Sequence, residues 1–293
     1  MFSHDERRLR AGWRLILHFF LLIIFLVLFE SLFSWLLIPI LQGLPERTYF
    51  LIGQITSIFA ITLSVWMARK FLDRRSFASL GLQLNAYAGK DLLVGFALPG
   101  LMMGLIFLGE WASGWLTLDG FSWEQQSWSQ LFLETAAMFV VFIFVSWQEE
   151  LVSRGYWLRN ITDGLNLTWG MLISSSIFAL GHLANPNVSL MGILGLVLGG
   201  LFFAYATTRT GQLWLAIGLH TGWNFFESTI FGFPVSGMSD VPKLILQTST
   251  GSELITGGAF GPEAGLVLIP ALALGTAFIY WYSRNRKNSL KGN

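Results

Sequence analysis

The chain reads as an all-α polytopic membrane protein of about eight transmembrane helices, with both termini cytoplasmic and a polar cavity inside the bundle. Three observations carry this. Of 293 residues, 54% are hydrophobic and only 12% charged, against about 25% charged in a soluble domain. The mean hydropathy is +0.59. Apolar runs of about 20 residues, the length that crosses a bilayer core, recur from end to end.

Taken in order, the expected spans are 13–41, 49–68, 91–109, 129–152, 167–184, 188–207, 211–231 and 263–283. The first run is too long for the core of a cleavable signal and lacks a small-residue cleavage site, so it reads as an anchor that stays. The fourth is expected to continue as helix to about Asn160. The loop 110–128, with Trp111, Trp115, Trp123 and Trp128, has the chemistry of an interfacial belt, and the Gly/Ser/Thr-rich loop 232–262 is expected to be irregular. The whole forms one membrane domain, 1–293: N-terminal spans 1–128, a core at 129–231 holding the polar motifs, the outer loop, and a last span with a basic tail at 263–293.

Charge placement orients the chain, because basic residues concentrate in cytoplasmic loops. An N-terminus in the cytoplasm puts Arg7, Arg8, Arg10, Arg14, Arg69, Lys70, Arg74, Arg75, Lys90, Arg154, Arg159, Arg209, Arg284, Arg286, Lys287 and Lys291 inside, 16 of the 18 basic residues; only Arg47 and Lys243 fall outside. The outer loops then carry Glu46, Glu110, Asp119, Glu124, Asp240, Glu253 and Glu263. No basic tract with interleaved aromatics points to nucleic acid. The absence of cysteine removes thiol nucleophiles, disulfides and thiolate zinc sites. Three sequons, at Asn160, Asn166 and Asn187, lie at or near membrane segments and carry no weight.

Intramembrane polar residues are the candidates for function, since each ionised group in hydrocarbon costs roughly 2.5–3.5 kcal/mol or more. Glu149 and Glu150 end an apolar run, and Arg154 follows Glu150 at i+4, the spacing and polarity of a helical ion pair. Glu149 points about 100° away from Glu150, free for another task. Phe178 and His182 share a helix face one turn apart, as do His220 and Asn224. Each piece also has a structural reading: Glu150–Arg154 as a clamp, a lone His or Asn as interhelical hydrogen-bond glue, the face of Gly192, Gly195, Gly199 and Gly200 as close packing, Ser174–Ser176 as backbone-bonding hydroxyls, and Glu30 as an interhelical or interfacial contact. Yet a carboxylate, two imidazoles and a carboxamide on successive helices are what water-mediated peptide hydrolysis needs. A desolvated carboxylate acts as base, an imidazole shares the proton, and imidazole and amide N–H groups bind an oxyanion. Glu149, His182 and His220 are equally a zinc set with an open position, although no His-Glu-x-x-His helix is present.

Glu149-Glu150-x-x-x-Arg154, Phe178-x-x-x-His182 and His220-x-x-x-Asn224, in this order, resemble the CPBP intramembrane proteases, the family of the type II CAAX prenyl endopeptidases and of the Abi and bacteriocin-processing proteins; Arg209–His220 resembles the approach to its third motif. The resemblance covers about 130–230. It implies an intramembrane endopeptidase of a bacterial cytoplasmic membrane acting on a peptide or protein substrate, lipidated in CAAX enzymes, with membrane lipid around it. It implies Glu149 as the base with His182 beside it, His220 and Asn224 as the oxyanion site, and Glu150, Arg154 and Phe178 in support. A metal-free reaction is expected, since Asn224 suits a hydrogen-bond donor better than a zinc ligand; zinc on Glu149, His182 and His220 is the alternative. An ion-coupled transporter with a Glu/His proton relay, or a non-catalytic immunity or binding protein, are the competing functions.

Overall fold

The computed structural model describes residues 8–36, 38–41, 43 and 46–291. Arg7 lies outside the described residues, as do the side chains of Glu46, Arg47, Arg286, Lys287 and Lys291. The helices are α1 (Ala11–Leu36), the short α2 (Ile38–Leu41), α3 (Glu46–Met67), α4 (Ala88–Ala112), α5 (Trp128–Glu150), α6 (Leu158–Gly164), α7 (Leu167–Leu180), α8 (Leu190–Thr210), α9 (Trp214–Asn224), the short α10 (Glu253–Thr256) and α11 (Leu268–Lys291).

Helix occupies all eight expected positions, and among the described residues five stretches are long and apolar enough to cross a membrane: 11–36, 52–72, 88–112, 128–164 and 190–210. At 14 residues α7 rises about 21 Å, short of a bilayer core of about 30 Å. The chain is a mostly helical, polytopic integral membrane protein. Apolar side chains such as Phe20, Ile24 and Val27 on α1 and Leu93 and Leu101 on α4 stand exposed on the outside of the bundle, as lipid-facing residues do.

The fourth helix continues beyond Asn160: α5 runs through a π-helical segment, Leu151–Trp157, into α6 and ends at Gly164. Helix starts follow local chemistry. Ser127, Asn166 and Ser189 each accept a backbone N–H of the first turn, from Gln130, Trp169 and Gly192. Asn166 is thus a cap, while Asn160 is buried and donates to Tyr156 O.

Two features position the interior. Helices α4 and α9 meet at glycine: a Cβ on Gly95 would lie 2.5 Å from Leu215 O, on Gly218 2.4 Å from Leu92 O, and on Gly222 2.3 Å from Phe96 O. This close approach seats the helix of His220 and Asn224. Near the start of α1, buried Asp73 accepts from Arg14, Arg69, Tyr156 and Asn160, and Asp163 pairs with Arg8 and Arg14. Several bases expected on the cytoplasmic side therefore gather at one end of the bundle, tying α1, α6 and the α3 exit together.

The two loops expected on the outer side depart from the all-α expectation, and 232–262 also from the irregular one. β1 (Leu116–Phe121) pairs antiparallel with β2 (Ile245–Ser249), with a register shift between Leu118 and Gly120. The strands are short and more than 100 residues apart, so no local pattern announces the pairing. Glu30 accepts from Ser57 Oγ at 3.4 Å, the interhelical one of its two expected contacts.

Candidate active site

Glu149, Phe178, His182, His220 and Asn224 line one cavity of about 550 Å³. Its walls come from α3, α5, α7, α8, α9, α11 and the outer loop, with apolar side chains such as Phe142, Val145, Phe202 and Leu272 among them. Helix α7 ends at Leu180, and His182 sits in the turn beyond it. Because α6 extends to Gly164, Glu149 lies 15 residues from that helix end and His182 lies 16 from the Asn166 cap.

The glutamate pair divides as the helix geometry requires. The Glu149 side chain is 34% exposed, towards the cavity. Glu150 is fully buried, and its Oε1 accepts from Arg154 Nη1 at 2.9 Å and from His220 Nδ1 at 3.0 Å. Arg154, with no exposed surface, also donates to Gly200 O at 3.0 Å and lies 4.3 Å from the Phe178 ring centre and 5.4 Å from that of Phe203. Its backbone belongs to the π-helical segment, whose wider turn still leaves the Glu150 contact intact. Gly200 is glycine because a Cβ would stand 2.8 Å from Ser175 Cβ and 3.2 Å from Arg154 Nη2.

Hydrogen-bond partners assign both tautomers. A carboxylate already held by arginine accepts, so His220 donates Nδ1–H to Glu150 and turns Nε2 towards Glu149, 3.7 Å from its Oε2. That separation is too long for a direct hydrogen bond and short enough for a shared water. Phe203 stacks on the His220 ring at 5.0 Å and 19°. His182 donates Nδ1–H to Phe178 O at 3.0 Å, leaving Nε2 for the cavity. Two placements differ from expectation: Glu150 serves His220 as well as Arg154, and the imidazole within 4 Å of Glu149 is His220, not His182.

The cavity also holds groups outside the three motifs. Glu263, expected as an outer-loop charge, is buried and lines the cavity with Ser236 and Asn185. Glu227 is buried close by, its Oε1 against Gly261. A Cβ on Gly195 would fall 1.7 Å from Glu263 O, and on Gly192 3.0 Å from Phe260. The glycine face of α8 therefore receives the outer loop as well as α7. Glu227, a lone acid in an apolar run, was visible in sequence by the same criterion as Glu149; Glu263 carried no such signal.

Among the described residues no three His, Asp or Glu side chains gather as metal ligands.

Residues 131–226 match the family model described as type II CAAX prenyl endopeptidase Rce1-like, and the matched segment, from within α5 to just past α9, carries Glu149, His182, His220 and Asn224. The chain is 26% identical over 250 residues to an uncharacterized protein, YyaK, of Bacillus subtilis strain 168, an alignment covering 83% of this chain and 78% of the relative. No solved structure matches.

Proposed function

We propose that this chain is an intramembrane endopeptidase that cleaves peptide or protein tails at the membrane with water activated by Glu149. The observation that carries the reading is the contrast within the glutamate pair. Glu150 is spent on Arg154 and His220, whereas Glu149 faces a cavity shared with His182, His220 and Asn224. The Rce1-like domain supports the reaction class.

In this reading one water donates to Glu149 and to His220 Nε2, which aligns its oxygen. Its proton passes to Glu149 as the oxygen bonds to the scissile carbonyl carbon, and the carbonyl π pair moves to oxygen. The Asn224 amide N–H donates to that oxyanion, and His182 joins it through Nε2–H when protonated. Collapse re-forms the carbonyl and breaks the C–N bond. The proton on Glu149 passes to the leaving amine, and the products are a carboxylic acid and an amine.

The apolar cavity wall favours substrates with apolar or lipidated tails. The basic residues at one end of the bundle favour both termini in the cytoplasm, and we place the protein in a bacterial cytoplasmic membrane. In this reading the reaction is metal-free, since Asn224 suits a hydrogen-bond donor better than a zinc ligand. The test is cleavage of quenched peptides, with and without a prenylated cysteine, by purified wild type, Glu149→Ala and Glu150→Ala. Glu149→Ala should abolish cleavage and a strong chelator should leave wild type unaffected. Wild-type rates in Glu149→Ala would reject the assignment.

A further inference from the structure

We propose that Glu263, beyond the Rce1-like segment, is a positioning residue that registers the His182 turn against the His220–Asn224 helix. This deepens the peptidase reading and rests on it for its kinetic consequences. One carboxylate reaches both halves of the site. Its Oε2 accepts from Ser236 N at 2.8 Å and Ser236 Oγ at 2.7 Å, and its Oε1 accepts from Trp223 Nε1 at 3.2 Å. Trp223 is three residues after His220 and adjacent to Asn224 on α9.

On the other side, Ser236 O accepts from Asn185 Nδ2 at 2.9 Å, and Asn185 N donates to His182 O at 3.0 Å. Asn187 adds a parallel link to Gly237 O at 3.2 Å. His182 is held to the end of α7 through Phe178 O and Ala179 O, and the short, otherwise exposed segment beyond it is held to the far side of the site by these bonds. The close seat of Glu263 O on Gly195 anchors the carboxylate to α8. A residue that acts through a turn in this way alters turnover by displacing a reacting group, and a displacement of about 1 Å lowers rates by up to about 10²-fold.

The experiment compares wild type with Glu263→Gln, Asn185→Ala and the double variant. Asn185 is partly exposed and uncharged, so its truncation preserves folding. Turnover of a quenched peptide is read beside the imidazole ¹⁵N resonance of His182, one of four histidines and assigned by its loss in His182→Gln. Each single variant should lower kcat about tenfold with KM within about twofold. Each should shift the His182 resonance, and the double variant should match the more severe single, since both break one path. Unchanged kcat and an unmoved His182 resonance in the folded singles would overturn the proposal, as would additive losses in the double. If wild type cleaves nothing, the peptidase reading fails, while the His182 resonance still decides the positioning role.

Discussion

Truncating Glu150 tests the polar network at its centre. In Glu150→Ala, Arg154 keeps no exposed surface and loses its carboxylate, retaining the Gly200 carbonyl and the ring faces of Phe178 and Phe203. Breaking a buried pair on one side costs about 3–5 kcal/mol, and the two cation–π contacts already present do not grow to offset it. Against a typical total stability of about 5–15 kcal/mol, the variant should unfold at clearly lower denaturant or temperature in bicelles or mild detergent. The companion change is Glu150→Ala with Arg154→Met, which removes the stranded charge and should recover most of the loss, because replacing a buried pair by apolar side chains is often close to neutral. The recovered double variant should nevertheless cleave poorly, since His220 Nδ1–H has lost its acceptor and Nε2 is no longer aimed at Glu149. A single-variant loss below about 1 kcal/mol, or a double variant as unstable as the sum of its parts, would refute the network argument; a fully active double variant would refute the orienting role of Glu150.

Glu149→Gln should abolish turnover while leaving thermal stability equal or slightly higher, because the inward Oε2 has no hydrogen-bond partner in the fold and sites of this kind trade stability for function; a paired measurement of Tm and kcat checks it. Gly195→Ala drives a Cβ into Glu263 O and should cost about 1–3 kcal/mol in denaturant unfolding, with a drop in kcat, whereas Gly199→Ala, which meets nothing within 4 Å, should be tolerated for stability. Asp73→Ala takes the only carboxylate from buried Arg69 among the described residues and leaves Arg14 the longer pair with Asp163; it should lower stability by about 3–5 kcal/mol, seen as reduced folded yield and Tm.

How much was legible in the sequence varies with the range of the interaction. Glu150–Arg154 lies within one helix, and the i,i+4 spacing foretold a contact the structure forms at 2.9 Å. The membership of Glu149, His182, His220 and Asn224 in one polar group was legible because ionisable and amide groups are costly in apolar helices. Their mutual order was not. Helical periodicity assigns a face on one helix and carries no information about the rotation or depth of a neighbour. His220 reaches both glutamates because glycines on α4 and α9 allow the two backbones to close, and that packing depends on the partner helix. The β1–β2 ribbon escaped for the same reason, since each strand is defined only by the other.

By itself, then, the sequence determined a polytopic helical membrane protein and the chemical inventory of its site, because bilayer length and the cost of buried charge act on each segment separately. Only the tertiary structure decided that Glu150 holds His220 as well as Arg154, that α6 carries the fourth helix to Gly164, and that Glu263 folds inward from the outer loop to the cavity wall. Those outcomes depend on hydrogen bonds and glycine-sized approaches between segments far apart in the chain, where the geometry of one partner exists only once the other is in place.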